Sequence, residues 1–143
     1  MIRSLALLLA LAATPALAVD PIDDEDPPPG LAIARDFIAV GDFAAAIPPL
    51  EDVISRDAAN ADAFNLLGFA QRKLGQLDDA GRSYDRALAI DPNHLGALEY
   101  QGELFLMLGD PEAAQVNLDR LTRICGTCPE REDLRAAIAA MAP

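Results

Sequence analysis

Residues 61–94 read ADAFNLLGFAQRKLGQLDDAGRSYDRALAIDPNH. Apolar and small residues fall at helical spacing on either side of Gly75: Phe64, Leu67 and Gly68 before it, Ala80, Tyr84 and Ala87 after it. Asp91-Pro92 then closes the run, because proline cannot continue a helix. The stretch is therefore two helices joined at Gly75, where a left-handed residue is easiest for glycine. The same punctuation stands on both sides. Gly41, Gly75 and Gly109 share one interval, as do Ala46, Ala80 and Ala114, then Leu50, Tyr84 and Leu118, then Val53, Ala87 and Leu121. Four series in one register make a repeat, in units 27–60, 61–94 and 95–128.

Phe64-x-x-Leu67-Gly68, Ala80-x-x-x-Tyr84, Ala87 and Asp91-Pro92 together resemble the tetratricopeptide repeat (TPR), a unit of two antiparallel helices in about 34 residues. The resemblance implies an all-α, right-handed superhelix of three helix–turn–helix repeats that serves as a binding scaffold. The composition agrees: 52 % of residues are hydrophobic but only 5 % aromatic, so the apolar content is mostly Ala and Leu, which suits closely packed helices. Gly68 and Gly102, with Ala34 in the first unit, are expected where paired helices approach most closely, facing Ala46, Ala80 and Ala114. Asp42 and Asp110 are expected N-caps, the latter followed by Pro111 at a favoured first-turn position.

The outer units depart from the pattern. Pro48-Pro49 falls inside the second helix of the first unit and predicts a kink or a late helix start. In the third, Gln101 replaces an apolar residue and Gly126 stands where the closing proline would be. Residues 129–143 form an expected capping helix, with Leu134, Ile138 and Met141 on its apolar face and Thr127-x-x-Glu130 as its capping box.

Residues 1–18 have the form of a secretory signal peptide. Arg3 supplies the charge, Leu5 to Ala13 the short apolar run, and Ala16-Leu17-Ala18 the cleavage signal, so cleavage is expected after Ala18. The run is shorter than the roughly 18 residues of a membrane span. Residues 19–30 join carboxylates to prolines with almost nothing to bury and read as a disordered leader. Asp23, Asp24, Glu25 and Asp26 lack the alternate spacing and central glycine of a calcium loop.

The chain carries 23 acidic against 11 basic residues, a formal net charge of −12. That balance argues against nucleic acid or an anionic membrane surface as partner. No Ser-His-Asp set, phosphate-binding glycine loop or metal-spaced histidine set occurs, so neither catalysis nor a cofactor is expected.

The TPR resemblance implies that the first helix of each unit lines a concave groove for a peptide. Its groove positions fall on Leu31, Arg35 and Ile38, on Asn65, Phe69, Arg72 and Lys73, and on Glu99, Glu103, Leu106 and Met107. Arg35, Arg72 and Lys73 would make one wall basic and suited to an acidic or C-terminal peptide, with Asn65 bonding its backbone and Phe69 offering an apolar contact. The alternative is an ordinary solvated face with Arg72 and Lys73 paired to Asp78 or Asp79. The carboxylate clamp of chaperone-binding TPR domains is absent, since Glu99 and Glu103 occupy its basic positions.

Cys125 and Cys128 read as a local disulfide stapling the capping helix, as expected in an exported protein. The alternatives are a thiol–disulfide module, with Cys128 at a helix N-terminus, or a metal site recruiting further ligands. His94, the one histidine, is placed at a repeat junction, and Pro129 after Cys128 excludes c-type haem attachment. The runs from Asn65 through Gly75, from Gly96 to Glu103 and from Cys125 to Glu130 also resemble a group of small exported proteobacterial TPR proteins, over about residues 60–140. This implies a periplasmic address; separately, another envelope protein is the expected partner, with self-association as a further option.

Overall fold

A computed structural model describes residues 29–141. Seven helices follow in order: α1 (Pro29–Ala39), α2 (Phe43–Arg56), α3 (Ala61–Lys73), α4 (Leu77–Ile90), α5 (Leu95–Met107), α6 (Pro111–Cys125) and α7 (Pro129–Met141). There is no strand among the described residues. The expected export signal, and the expected leader up to residue 28, lie outside them. Pro29 and Gly30, read above as the end of the leader, are instead the first turn of α1.

One turn is built three times. Gly41, Gly75 and Gly109 have φ of 79°, 78° and 77°, and the next residue's N–H reaches back five positions. Asp42 bonds Phe37 O at 2.9 Å, Gln76 bonds Gln71 O at 2.9 Å and Asp110 bonds Phe105 O at 2.8 Å. This is the Schellman closure of a helix C-terminus. Asp42 Oδ1 then accepts from the Ala45 N–H at 3.1 Å and Asp110 Oδ1 from the Ala113 N–H at 2.9 Å. Gln76, at the same place in the middle unit, makes no such bond.

Helix α2 begins at Phe43 and runs unbroken through Pro48 and Pro49, so the late start allowed for above does not occur. Two missing N–H donors weaken its ladder; burial of Ala46, Leu50 and Val53 on its inner face offsets the loss.

Packing divides the helices into two layers. Helices α1, α3, α5 and α7 touch in sequence, while α2, α4 and α6 touch only odd-numbered neighbours. The odd layer is therefore the closed, inner side of a curved solenoid, and the even layer fans open outside. The core runs between them in three clusters: Leu31 to Ala70 over the first unit and α3, then Ala80, Tyr84 and Leu104, then Leu98, Leu118, Leu121 and Leu134.

Small residues act differently in the two later units. A Cβ on Gly68 would stand 2.7 Å from the Tyr84 ring, across the α3–α4 contact as expected. A Cβ on Gly102 would meet Leu134 of α7 at 2.6 Å, so this glycine admits the capping helix rather than its own unit's partner. The cause is Leu118, which holds Tyr84's place with a shorter side chain and leaves room that Leu134 fills.

Two expectations for α7 need correction. Met141 is 61 % exposed, so Leu134 and Ile138 alone make the buried face. The helix starts at Pro129, which puts Cys128 rather than Thr127 at the cap, its carbonyl accepting from the Glu132 N–H at 3.2 Å. The Cys125–Cys128 disulfide joins the end of α6 to that cap.

Candidate functional site

The inner layer presents one wall built from α3, α5 and α7, with Arg72 at its centre. The Arg72 residue is only 7 % exposed. Its Nη2 is 2.5 Å from Glu103 Oε2, its Nε donates to Tyr84 Oη at 3.4 Å and its Nη1 lies 3.9 Å from Met107 Sδ. The guanidinium also lies 5.6 Å from the Phe69 ring centre and 5.7 Å from that of Tyr100. A charge so deeply placed is stable only with such partners. Burial raises the Tyr84 hydroxyl above its ordinary range, and Tyr100 likewise.

Phe69 connects this hub to the first unit. Its ring centre is 4.9 Å from that of Tyr100 and 6.0 Å from that of Phe43, distances at which tilted aromatic pairs attract. Lys73 Nζ stands 5.3 Å from the Phe69 ring centre. Beyond Arg72 an open cleft of about 360 Å³ is lined by Arg72, Lys73, Glu103, Leu106, Met107, Ala137 and Met141. Met107 and Met141 are both more than half exposed, and methionine adapts to varied apolar partners.

Several expected groove residues lie elsewhere or do other work. Leu31 is 2 % exposed and belongs to the first core cluster, and Ile38 packs against that cluster. Arg35 meets Asp62 at 3.6 Å on the exposed rim. Arg72 is committed to Glu103 rather than to Asp78 or Asp79, and Asp79 pairs with Arg82. The basic wall expected from Arg35, Arg72 and Lys73 is thus reduced to Lys73, because two of its three charges are matched within the fold. Signals for this existed in the sequence only as the interval between Phe69, Arg72 and Glu103; that their tips meet depends on how α3 and α5 pack.

Asn65 and Glu99 are both deep in the wall. Asn65 is 6 % exposed, and its Oδ1 is buried without a hydrogen-bond partner. Glu99 is 8 % exposed, and burial pushes its carboxyl up to about 8, with Glu103, Asp133 and Glu130 adding to the rise. Glu99 and Glu103 are both expected groove positions; in the fold only Glu103 reaches a cation.

Gln101 explains its own presence: it donates to Asp85 Oδ1 at 2.8 Å and accepts from Asn117 Nδ2 at 3.0 Å, tying α5 to α4 and α6. His94 caps α5 by accepting from the Ala97 N–H at 3.1 Å, and its Nε2 is 2.9 Å from Asp62 Oδ1. No group of three His, Cys, Asp or Glu among the described residues is placed to hold a metal ion. None of the described helices is long and apolar enough to cross a membrane.

The family model described as tetratricopeptide repeat matches residues 31–94 and 70–119. The protein CTR9 homolog of Arabidopsis thaliana is 36 % identical over 55 residues, which are 38 % of this chain and 5 % of that protein. The chain therefore spans about one twentieth of that relative's length. Among solved structures, the type III secretion chaperone SycD of Yersinia enterocolitica, in complex with a peptide of the translocator YopD, is 20 % identical with a TM-score of 0.68, over 79 % of this chain and 86 % of that one. The first TPR of Spaghetti (RPAP3), bound to the HSP90 peptide SRMEEVD, is 19 % identical with a TM-score of 0.70, over 80 % of this chain and 96 % of that one. At such identities the likeness carries the fold.

Proposed function

This chain belongs to the tetratricopeptide repeat family, and on that basis we propose that it is a non-catalytic scaffold holding a peptide segment of another cell-envelope protein in its concave wall. The observation that carries the reading is the cleft between α3, α5 and α7, where an open apolar lining adjoins the buried Arg72 hub. A preformed wall binds an extended peptide without first paying to order itself. The two solved neighbours, each seen with a peptide of a partner protein, support the same use of the fold. The envelope address rests on the signal-like residues 1–18 and on the cysteine pair, which suits an oxidising compartment. In this reading the disulfide is a staple at the α6–α7 corner, and α7 contributes to the wall that it holds in place.

A photo-crosslinking residue placed at Met107 in the cleft, and separately at Val116 on the outer helix α6, tests the proposal in cells. Both positions are more than half exposed, so neither substitution disturbs the core. Capture of a discrete envelope protein from position 107 but not from 116 is the expected result. Identical adducts from both, or none from 107, would remove the cleft from consideration.

A further inference from the structure

Leu31, Asn65, Glu99 and Asp133 occupy one register position on the four inner helices. The row changes from apolar to acidic along the solenoid. Leu31 is core; Asn65 carries the buried, unpartnered Oδ1, and its Nδ2 lies 3.0 Å from where a Cβ on Gly96 would stand, against the first turn of α5. Glu99 follows three residues later. It is more than nine-tenths buried and has neither an ion-pair partner nor a hydrogen-bond donor among the described residues. Glu103 one turn on, and Glu130 and Asp133 of α7, lie close enough to Glu99 to push its carboxyl further up.

The cations nearby are already engaged. Arg72, the one cation acting on Glu99, is held by Glu103 and Tyr84. Arg131 and Arg135 of α7 both pair with Glu132. Negative groups therefore outnumber free cations on this part of the wall, and Asn65 Oδ1 is a fully buried acceptor without a donor, which is costly. No group of three His, Cys, Asp or Glu among the described residues is placed to hold a metal ion, and the excess of negative groups suits a long side-chain cation instead. The net charge of −12 would attract such a partner from a distance.

We propose that the wall between α3, α5 and α7 receives a lysine or arginine side chain of the bound peptide at Glu99, Glu130 and Asp133, and an apolar side chain in the adjoining methionine-lined cleft. This rests on the groove reading above and reverses the charge expected of its ligand. The two subsites are centred about Glu99 and Leu106. Seven residues of α5 span about 10 Å, which an extended peptide covers in about three residues. The recognised pattern is a basic residue with an apolar one about three positions away. Glu99 holds its proton up to about pH 8 in the free protein; a cation beside it favours the ionised form, so binding releases that proton. Affinity therefore strengthens as pH rises from 6 to about 8, then levels off.

The test is selection of a displayed library of random twelve-residue peptides against the purified protein, with a Met107→Asp variant selected in parallel. Enriched peptides with the basic–apolar pattern, lost on Met107→Asp and weakened about tenfold by Glu99→Gln, are the expected result. Asp119→Asn on the outer helix α6 should leave binding unchanged, and circular dichroism checks that each variant is folded. Groove-dependent peptides that are acidic or uncharged, or that are indifferent to Glu99→Gln, would overturn the basic-residue assignment while leaving the groove in place. Peptides that bind the Met107→Asp protein equally well, or failure to enrich any peptide, would overturn both.

Discussion

Glu99 shows how one side chain can be worth more as a probe than as a contributor to stability. Its ordinary carboxyl value of 4.5 is raised to about 8 by burial, with three neighbouring carboxylates acting in the same direction. The fold therefore retains a proton that the unfolded chain gives up above pH 4.5. Stability contributed this way is fully present at low pH and is lost as pH climbs from about 4.5 to about 8. Glu99→Gln, which cannot ionise, should remove that loss and exceed the parent by about 1–3 kcal/mol at pH 8.5, with little difference at pH 4.5. Urea unfolding at the two pH values measures it; an advantage that does not grow with pH would show that Glu99 ionises normally. That the position is acidic could be read directly from the chain. Its burial could not, because Glu99 and Glu103 are four residues apart and share one face of a helical wheel.

The helix-pair turn is the element most completely written into local sequence. Glycine at 41, 75 and 109 supplies the left-handed residue, and aspartate at 42 and 110 supplies the cap of the following helix. Both act within a few residues and depend little on tertiary context. The middle unit has the glycine but not the cap. Gln76→Asp should therefore supply the missing acceptor for α4 and stabilise the protein by about 0.5–1 kcal/mol, read as a rise in thermal midpoint. No gain would mean that the α4 N-terminus is already satisfied by other means. Pro48-Pro49 marks the limit of such local reasoning. Two residues that weaken any isolated helix lie in an unbroken one, because Leu50 and Val53 beside them are drawn into the core.

The solenoid as a unit depends on what closes its C-terminal end. Leu134 fills the space between Gly102 and the third core cluster, and α7 packs on both α5 and α6. In a stacked architecture each unit is stabilised by its neighbours, so damage at one end stays near that end. Replacing Cys125 and Cys128 by Ser should thus lower global stability by only about 1–2 kcal/mol, the loop they enclose being short. Hydrogen exchange should show lost protection in α7 and the end of α5, with α1 to α4 unchanged. Uniform loss across all seven helices would show that the corner is needed for the whole fold. Since α7 also carries Glu130, Asp133 and Met141 to the wall, peptide binding should weaken with that local loosening.

The repeating glycines, alanines and caps of this sequence were sufficient to specify an all-α TPR solenoid, because turns and helix faces follow from short-range sterics and the 3.6-residue period. The resemblance to TPR proteins, not the pattern itself, implied which helices face inward. The chemistry of the inner wall was not available at that level. Arg72 was expected to read a peptide or to pair with Asp78 or Asp79 and is held by Glu103; Gly102 looked like half of a helix pair and admits α7; Glu99 was expected in the groove and is buried. The first two turn on residues about 30 positions apart meeting across helices, and the third on desolvation of a carboxyl that only packing brings about. Helical periodicity determines which way a residue points, and only packing determines what it meets.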